Sequence, residues 1–435
     1  MEKKAIFLSL TLIISTFIGI RGAEPSITFI ADQYRFGGFM PQCISINGRY
    51  VAGSSFVGVG FIADWQSGIT LPCHGEEGNP RAGTFNYITN DGVGLSGRLI
   101  HFDTGNAEWS GFGGFVDMMT EDGSIAVGMT PKKEYSDFGS PHNIEYQACY
   151  WEDGEMHLLP IPTEQELGYY YLRTRARCIS SDGSVILGEI IDRLYQLPMI
   201  LWYRQEDGSY KADPVCMEYF SDIKYNEGYY KEYVTFRGHA LSRNGKWVAM
   251  TVRESPAYNE PAQGPLVVAL YNVETGEITK TTVSENFREA ISPRYEIYYN
   301  GIADDGTIVG YYNNNYSGLS AFIMHPEDMI LRNFIEEFDT IDAFADFDKE
   351  GHNKVSSITP DGRYIVGYGF KDDYIGYVLD CGDTQENEEN AVGATFDESE
   401  AEPSYFDLSG RRIPAPAQGV TIVRYPDGSS KKIIR

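Results

Sequence analysis

The chain has 435 residues, 42% of them hydrophobic, and a formal net charge of −27. The hydrophobic share is ample for buried cores, and so strong a negative balance excludes nucleic acid as a partner and disfavours anionic lipid surfaces, because both would be repelled. Six cysteines (Cys43, Cys73, Cys149, Cys178, Cys216, Cys381) include no CxxC pair, so their spacing implies neither a metal site nor a disulfide framework, and no cofactor is called for.

In chain order, residues 1–23 open with Glu2, Lys3 and Lys4, run apolar from Ala5 to Ile20 and end in the small residues Gly22 and Ala23, the pattern of a cleaved secretory signal. The apolar run is shorter than the roughly 20 residues a membrane span needs, and no later segment reads as membrane-spanning. "SITFIAD" (Ser26 to Asp32) then reads as a strand with no partner of its own.

Seven related phrases follow: "ISINGRYVAG" from Ile44, "ITNDGVGLSG" from Ile88, "MTEDGSIAVG" from Met119, "ISSDGSVILG" from Ile179, "LSRNGKWVAM" from Leu241, "IADDGTIVG" from Ile302 and "ITPDGRYIVG" from Ile358. In each, Asp or Asn precedes Gly between two apolar stretches, which predicts a hairpin with a two-residue turn. A second hairpin phrase follows most copies, as in "IADWQSGITLP" from Ile62 and "ACYWEDGEMHLLP" from Ala148, so each unit holds four antiparallel strands. Over residues 24–381 the repeat averages about 51 residues, the length of a propeller blade. The last unit lacks its fourth strand after "YIGYVLD" (Tyr374 to Asp380), and Ser26 to Asp32 placed on its outer edge closes a seven-bladed β-propeller. The 31-residue step between Gly92 and Gly123 leaves the second blade cramped and keeps a six-bladed or irregular ring open.

The turns of the seven phrases predict one face of the ring, and the remaining connections the other. The long insertions (residues 130–146, 161–177, 217–238, 253–264 and 286–299) all fall in the second class, and loops on a rigid scaffold are where binding residues concentrate. Two residues before each phrase stand Gln42, Asn86, Asp117, Arg177, His239, Asn300 and Ser356, all polar and expected to ring the central channel's mouth. Polar strand ends beside a wet channel explain them equally well. Tyrosines gather in the same loops, among them Tyr170 and Tyr230, suited to stacking on sugars or anchoring a protein, or to filling gaps between blades.

"PEDMILRNFIEEF" (Pro326 to Phe338) has helical apolar spacing and predicts an amphipathic helix capping the ring. "DFDKEG" (Asp346 to Gly351) opens like a calcium loop but carries Ser357 where a bidentate Glu belongs, which argues against calcium. No G-x-S-x-G elbow, HExxH helix or phosphate loop is present. An enzyme would have to assemble its groups from separate blades; His239 as base with Arg177 neutralising a carboxylate would suit a polysaccharide lyase.

Residues 382–402 are acidic without Lys or Arg, as an unfolded linker is, and residues 403–435 end in short strands and the basic "KKIIR". The seven phrases resemble the extracellular propeller repeats called HAF repeats and the units of TolB-type propellers, with "ITPDGRYIVGYG" the nearest likeness. The resemblance implies a propeller and leaves the function open. The tail resembles the end of type IX secretion C-terminal sorting domains at Leu408, Ser409, Gly410, Arg411, Gly419, Ile422, Val423 and Lys431 to Ile434, which implies handling by an outer-membrane export machinery. The chain therefore reads as an exported, secreted or cell-surface β-propeller that binds a glycan or a protein at its loop-rich face. A periplasmic location, a structural scaffold and a propeller enzyme are the alternatives.

Overall fold

A computed structural model of the chain describes residues 25–30, 38–73, 84–96, 99–102, 107–108, 112, 114–132, 145–162, 174–191, 196–215, 233–255, 267–283, 296–314, 318–344, 347, 352–370, 374–382, 404–406, 412–413, 420–424 and 430–434. Seven antiparallel sheets take the strands in sequence order: residues 39–72 form blade 1, 87–108 blade 2, 115–158 blade 3, 174–214 blade 4, 233–280 blade 5, 296–333 blade 6 and 354–380 blade 7. Blade 7 contributes three strands of its own, and Ser26–Ile30 is the fourth, antiparallel to Tyr374–Asp380 with Ser26 opposite Asp380 and Ile30 opposite Gly376. Blade 2 is cramped, with a first strand of only Tyr87–Ile88, yet it keeps all four strands.

The first strand of each blade lies against the first strands of both neighbours, and blade 7 meets blade 1 in the same way, so these strands form the innermost wall of a closed ring. The apolar residues divide accordingly into seven clusters, one per seam. Ile125, Tyr150, Ile186 and Trp202 join blades 3 and 4, and Val51, Phe61, Val366, Val378 and Ile30 join blades 1 and 7. Alternation along each strand sends consecutive residues to opposite seams: Val309 packs toward blade 7 and Ile308 toward blade 5.

The hairpin turns differ from the two-residue form expected. Each is a four-residue turn in which the Gly N–H donates to the carbonyl three residues back, as Gly183 does to Ser180, and only the glycine has positive φ, between 71° and 102° in the seven copies. A Ser or Thr two residues before the Asp or Asn selects this form. The Ser180 hydroxyl donates to Asp182 Oδ1 at 2.7 Å and accepts the Val185 N–H at 3.0 Å, while Asp182 Oδ1 accepts the Ser184 N–H at 2.9 Å. The same bonds recur at Ser45, Thr120, Ser242 and Thr359. Blade 6 has Ala303 at that position, and Thr307 supplies the hydroxyl to Asp305 instead.

The glycine that ends most phrases has a different cause. In six of the blades the first strand carries a bulge, at the residue preceding Cys43, Met118, Cys178, Ala240, Gly301 or Ser357, and the neighbouring strand passes unusually close there. A Cβ on Gly128 would lie 1.9 Å from the Phe115 carbonyl oxygen, and one on Gly53 2.2 Å from that of Met40. In blade 5, where Met250 ends the phrase, Gly238 stands directly opposite it. Gly128→Ala is therefore expected to cost about 3 kcal/mol or more, whereas Gly123→Ala, positive in φ with open space around it, should cost about 1 kcal/mol. Urea denaturation of the two variants checks the order.

The segment from Pro326 is mostly not helical. Ile330–Asn333 is the fourth strand of blade 6, paired with Phe322 to Met324, and the helix is the single turn Phe334–Glu337 capped by the Asn333 side chain. Met329 at φ 54° breaks any longer helix, and Thr282–Val283 adds a parallel fifth strand beyond Ile330–Leu331. Phe334 and Ile335 pack into the seam between blades 6 and 7.

Residues 384–435 form a separate unit containing a four-stranded sheet ordered Arg412–Ile413, Ser404–Phe406, Val420–Arg424, Ser430–Ile434. Residues 1–24, which include the expected signal, and residues 383–403 lie outside the described residues.

Candidate functional site

Two ends of the ring can be told apart by their hydrogen bonds. At the end bearing the seven Asp-Gly or Asn-Gly turns, neighbouring turns bond one another: the Asn47 N–H donates to Asn90 Oδ1 at 2.8 Å, Asn90 Nδ2 to Glu121 at 2.8 Å, the Ser181 N–H to the Arg243 carbonyl at 2.7 Å, the Asn244 N–H to Asp304 at 2.8 Å and the Asp304 N–H to the Pro360 carbonyl at 2.7 Å. These bonds link blade 1 to 2, 2 to 3, 4 to 5, 5 to 6 and 6 to 7. The single-face placement of the turns follows directly.

Arg243, from the turn of blade 5, crosses the interior at this end. Its Nη1 donates to the carbonyls of Ile179 at 2.8 Å and Met119 at 3.2 Å, and its guanidinium lies 5.4 Å from the Tyr87 ring. One buried side chain thus ties blades 2, 3, 4 and 5 together at the turn end. Burial raises the Asp304 carboxyl above its usual range, opposed by bonds from Asn244 and by the charge of Arg243.

The polar residues singled out by the repeat occupy one structural position. Gln42, Asp117, Arg177, His239, Asn300 and Ser356 are the extra residues of the six bulges, and Asn86 immediately precedes the short first strand of blade 2. Each stands three residues before its turn, so about 10 Å of strand separates it from the turn end. Six of them therefore sit within the first strands, and Asn86 sits at the start of one.

Their partners are mostly structural. Gln42 donates to Ser54 Oγ at 3.1 Å and accepts the Phe85 N–H at 2.6 Å, joining blades 1 and 2. Asp117, 7% exposed, is held by both Arg175 Nε, at 2.7 Å, and Arg175 Nη2, joining blades 3 and 4. Arg177 donates to Glu189 at 2.8 Å within blade 4, so its charge is already met. Asn86 is exposed, and the Ser356 hydroxyl is buried with no hydrogen-bond partner. His239 and Asn300 are described as backbone only, and Tyr170 and Tyr230 lie outside the described residues. Asp117→Ala should cost about 3 kcal/mol because it strands the Arg175 charge, while Asp117→Ala with Arg175→Met should recover most of that loss. A double-mutant cycle by denaturant titration reads the difference.

Residues that the repeat pattern did not reveal cluster at the end away from the turns. Phe56 and Val57 form the tip of the tight connection between the second and third strands of blade 1, closed by the Gly58 N–H donating to Ser55, and are 63% and 64% exposed. The Phe56 ring stacks on Tyr374 of blade 7 at 5.3 Å and 16° between planes. Tyr374 in turn meets Phe370 at 5.3 Å and Tyr368 at 5.7 Å, and His352, in the left-handed region at φ 66°, sets its ring 5.6 Å from Phe370. Among the described residues, no group of His, Cys, Asp and Glu is placed to hold a metal, and no helix is long and apolar enough to cross a membrane.

No protein-family model and no curated protein matches the chain. Among solved structures it is similar to TolB from Acinetobacter baumannii, at 12% identity and TM-score 0.33, with 68% of this chain covered and 56% of that one. It is also similar to an oligogalacturonate lyase from Vibrio parahaemolyticus, at 14% identity and TM-score 0.48 over 82% of this chain and 97% of that one. The third is the β-propeller domain of Cps50 (Swd1) from Myceliophteria thermophila, at 10% identity and TM-score 0.46 over 81% and 99%. Likenesses this distant say nothing of activity; the seven-bladed ring rests on the chain's own strand order.

Proposed function

We propose that the chain is an exported propeller that binds a glycan or a protein partner at the end of the ring opposite the Asp-Gly and Asn-Gly turns. The observation that carries this reading is the contrast between the two ends. The turn end bonds turn against turn and is crossed by the buried Arg243, whereas the other end presents an exposed aromatic tip continuous with rings of the neighbouring blade. Exposed aromatic groups on a rigid scaffold are anchors for binding. A lyase built on His239 and Arg177 gains no support, since Arg177 is paired with Glu189.

Export is part of the same reading: residues 1–23 act as a leader, residues 382–402 as a linker and residues 403–435 as a sorting segment read by an outer-membrane machinery. Protein recovered from outside the cell should begin near Glu24, which N-terminal sequencing reads directly. A glycan array and co-purification from envelope extracts test the binding. Retained partners whose capture falls at least tenfold in Phe56→Ala support the reading, and capture that depends instead on the turn end, as in Asn90→Ala, contradicts it.

A further inference from the structure

We propose that the aromatic sector spanning blades 6, 7 and 1 binds an oligosaccharide bearing a carboxylate, with Phe56, backed by Tyr374, stacking on a sugar ring and Lys354 pairing with the acid group. The inference deepens the binding reading above and rests on it.

Lys354 begins the first strand of blade 7, directly opposite Tyr368 in the next strand, and its ammonium lies 4.5 Å from the centre of the Tyr311 ring of blade 6. In a chain with 62 acidic residues, this half-buried cation has no carboxylate beside it among the described residues. The groups around it are the phenols of Tyr311 and Tyr368, with Tyr374 behind Tyr368 and the exposed His352 two residues upstream. Burial, with no opposing charge, pushes its amine down to about 8. A ring face offsets only part of the cost of desolvating an ammonium, and a ligand carboxylate would supply the rest.

The aromatic run leads outward from this amine. Tyr368 meets Tyr374, and Tyr374 meets both Phe370 and Phe56, so the path crosses from the first strand of blade 7 to the rim of blade 1. Two strand spacings amount to roughly 10 Å, the scale of a disaccharide. Phe56 has one face covered by Tyr374 and remains 63% exposed, leaving a flat apolar face for the C–H side of a sugar. His352, strained in the left-handed region beside Phe370, is the kind of backbone outlier that collects at ligand sites. The net charge of −27 would repel a long polyanion, so the acid groups must be few.

The test is titration calorimetry on the full chain with cellobiouronic acid against cellobiose and sialyllactose against lactose. At least one acidic sugar should bind tenfold or more tighter than its neutral counterpart. Lys354→Met should erase that preference without lowering the melting temperature, Phe56→Ala should weaken both members of the pair, and wild-type affinity for the acid should fall about tenfold per pH unit above about 8 as the amine loses its proton. Equal binding of acidic and neutral sugars, or an acid preference that survives Lys354→Met, overturns the inference while leaving the broader binding reading intact. So does capture of a protein or neutral glycan alone through Phe56. Failure of every glycan and every envelope extract to bind the loop end defeats both.

Discussion

Removing residues 26–30 is expected to cost about 5 kcal/mol or more and to broaden the unfolding transition. The deleted strand takes with it the buried side chain of Ile30, the half-buried Ile27, the Phe29 contact with Phe347 and a full antiparallel ladder. Burial of one Ile contributes about 2 kcal/mol and each ladder bond about 1 kcal/mol net. The greater effect is topological. Without that strand, Tyr374–Asp380 becomes an open edge, and the seam between blades 7 and 1 loses Ile30, a residue both blades touch. Scanning calorimetry of the shortened chain should show a melting temperature lower by several degrees and a calorimetric enthalpy exceeding the van't Hoff value, because a ring cut at one seam unfolds blade by blade. A single sharp transition at the wild-type temperature would mean that the strand is ornamental.

Alkaline pH should destabilise the ring steeply. Burial pushes the thiols of Cys43, Cys73, Cys149 and Cys381 up to about 12 and the phenols of Tyr203 and Tyr210 up to about 12, with Tyr368 and Tyr377 raised further. Each folded-state value lies above its unfolded one, near 9 for a thiol and 10 for a phenol. The stability these groups contribute is therefore complete below pH 9 and is lost as pH rises toward 12, because the unfolded chain ionises first. Each thiol loses about 1.4 kcal/mol per pH unit once above its unfolded value. Lys354 acts in the opposite sense, since its folded value of about 8 lies below 10.5 and stability rises by about 1.4 kcal/mol per unit across that window. Four thiols against one amine leave a net loss of roughly 4 kcal/mol per unit near pH 10, to which the phenols add at higher pH. Urea midpoints measured under reducing conditions should hold steady to about pH 8.5 and then fall sharply. A flat profile to pH 10.5 would show that these thiols are not buried in the seams.

The seven phrases made the ring, its closure and the separation of its two ends legible because each of these follows from strand count and turn position alone. The cause of the phrase itself was only half legible. Asp-Gly suggests a two-residue turn, but the hydroxyl two residues earlier, as in Ser180 or Thr120, fixes the longer form by bonding both the Asp and the following strand. The row from Gln42 to Ser356 was visible as polarity at a fixed offset, and the structure supplies its reason in the bulge. The stretch from Ile330 failed because helical spacing over a few residues cannot outweigh an unpaired sheet edge at Gly318–Met324. Phe56 and Lys354 were silent in the sequence: neither belongs to the polar row or to the turn phrases, and their setting arises only when blade 7 closes on blade 1 and blade 6.

Ser26–Ile30 completes blade 7 and ties the start of the chain to its last blade, and cross-linking measures that closure most directly. Ser26→Cys combined with Asp380→Cys places two thiols on facing residues of the outer strands of blade 7, while Ser26→Cys combined with Ile69→Cys places the second on the exposed outer strand of blade 1. Under mild oxidation the first pair should form an intramolecular disulfide in the folded protein, seen by intact mass and peptide mapping, and the second should not. Cross-linking to Ile69→Cys, or none to Asp380→Cys, would contradict the closed ring on which the assignment of the working end depends.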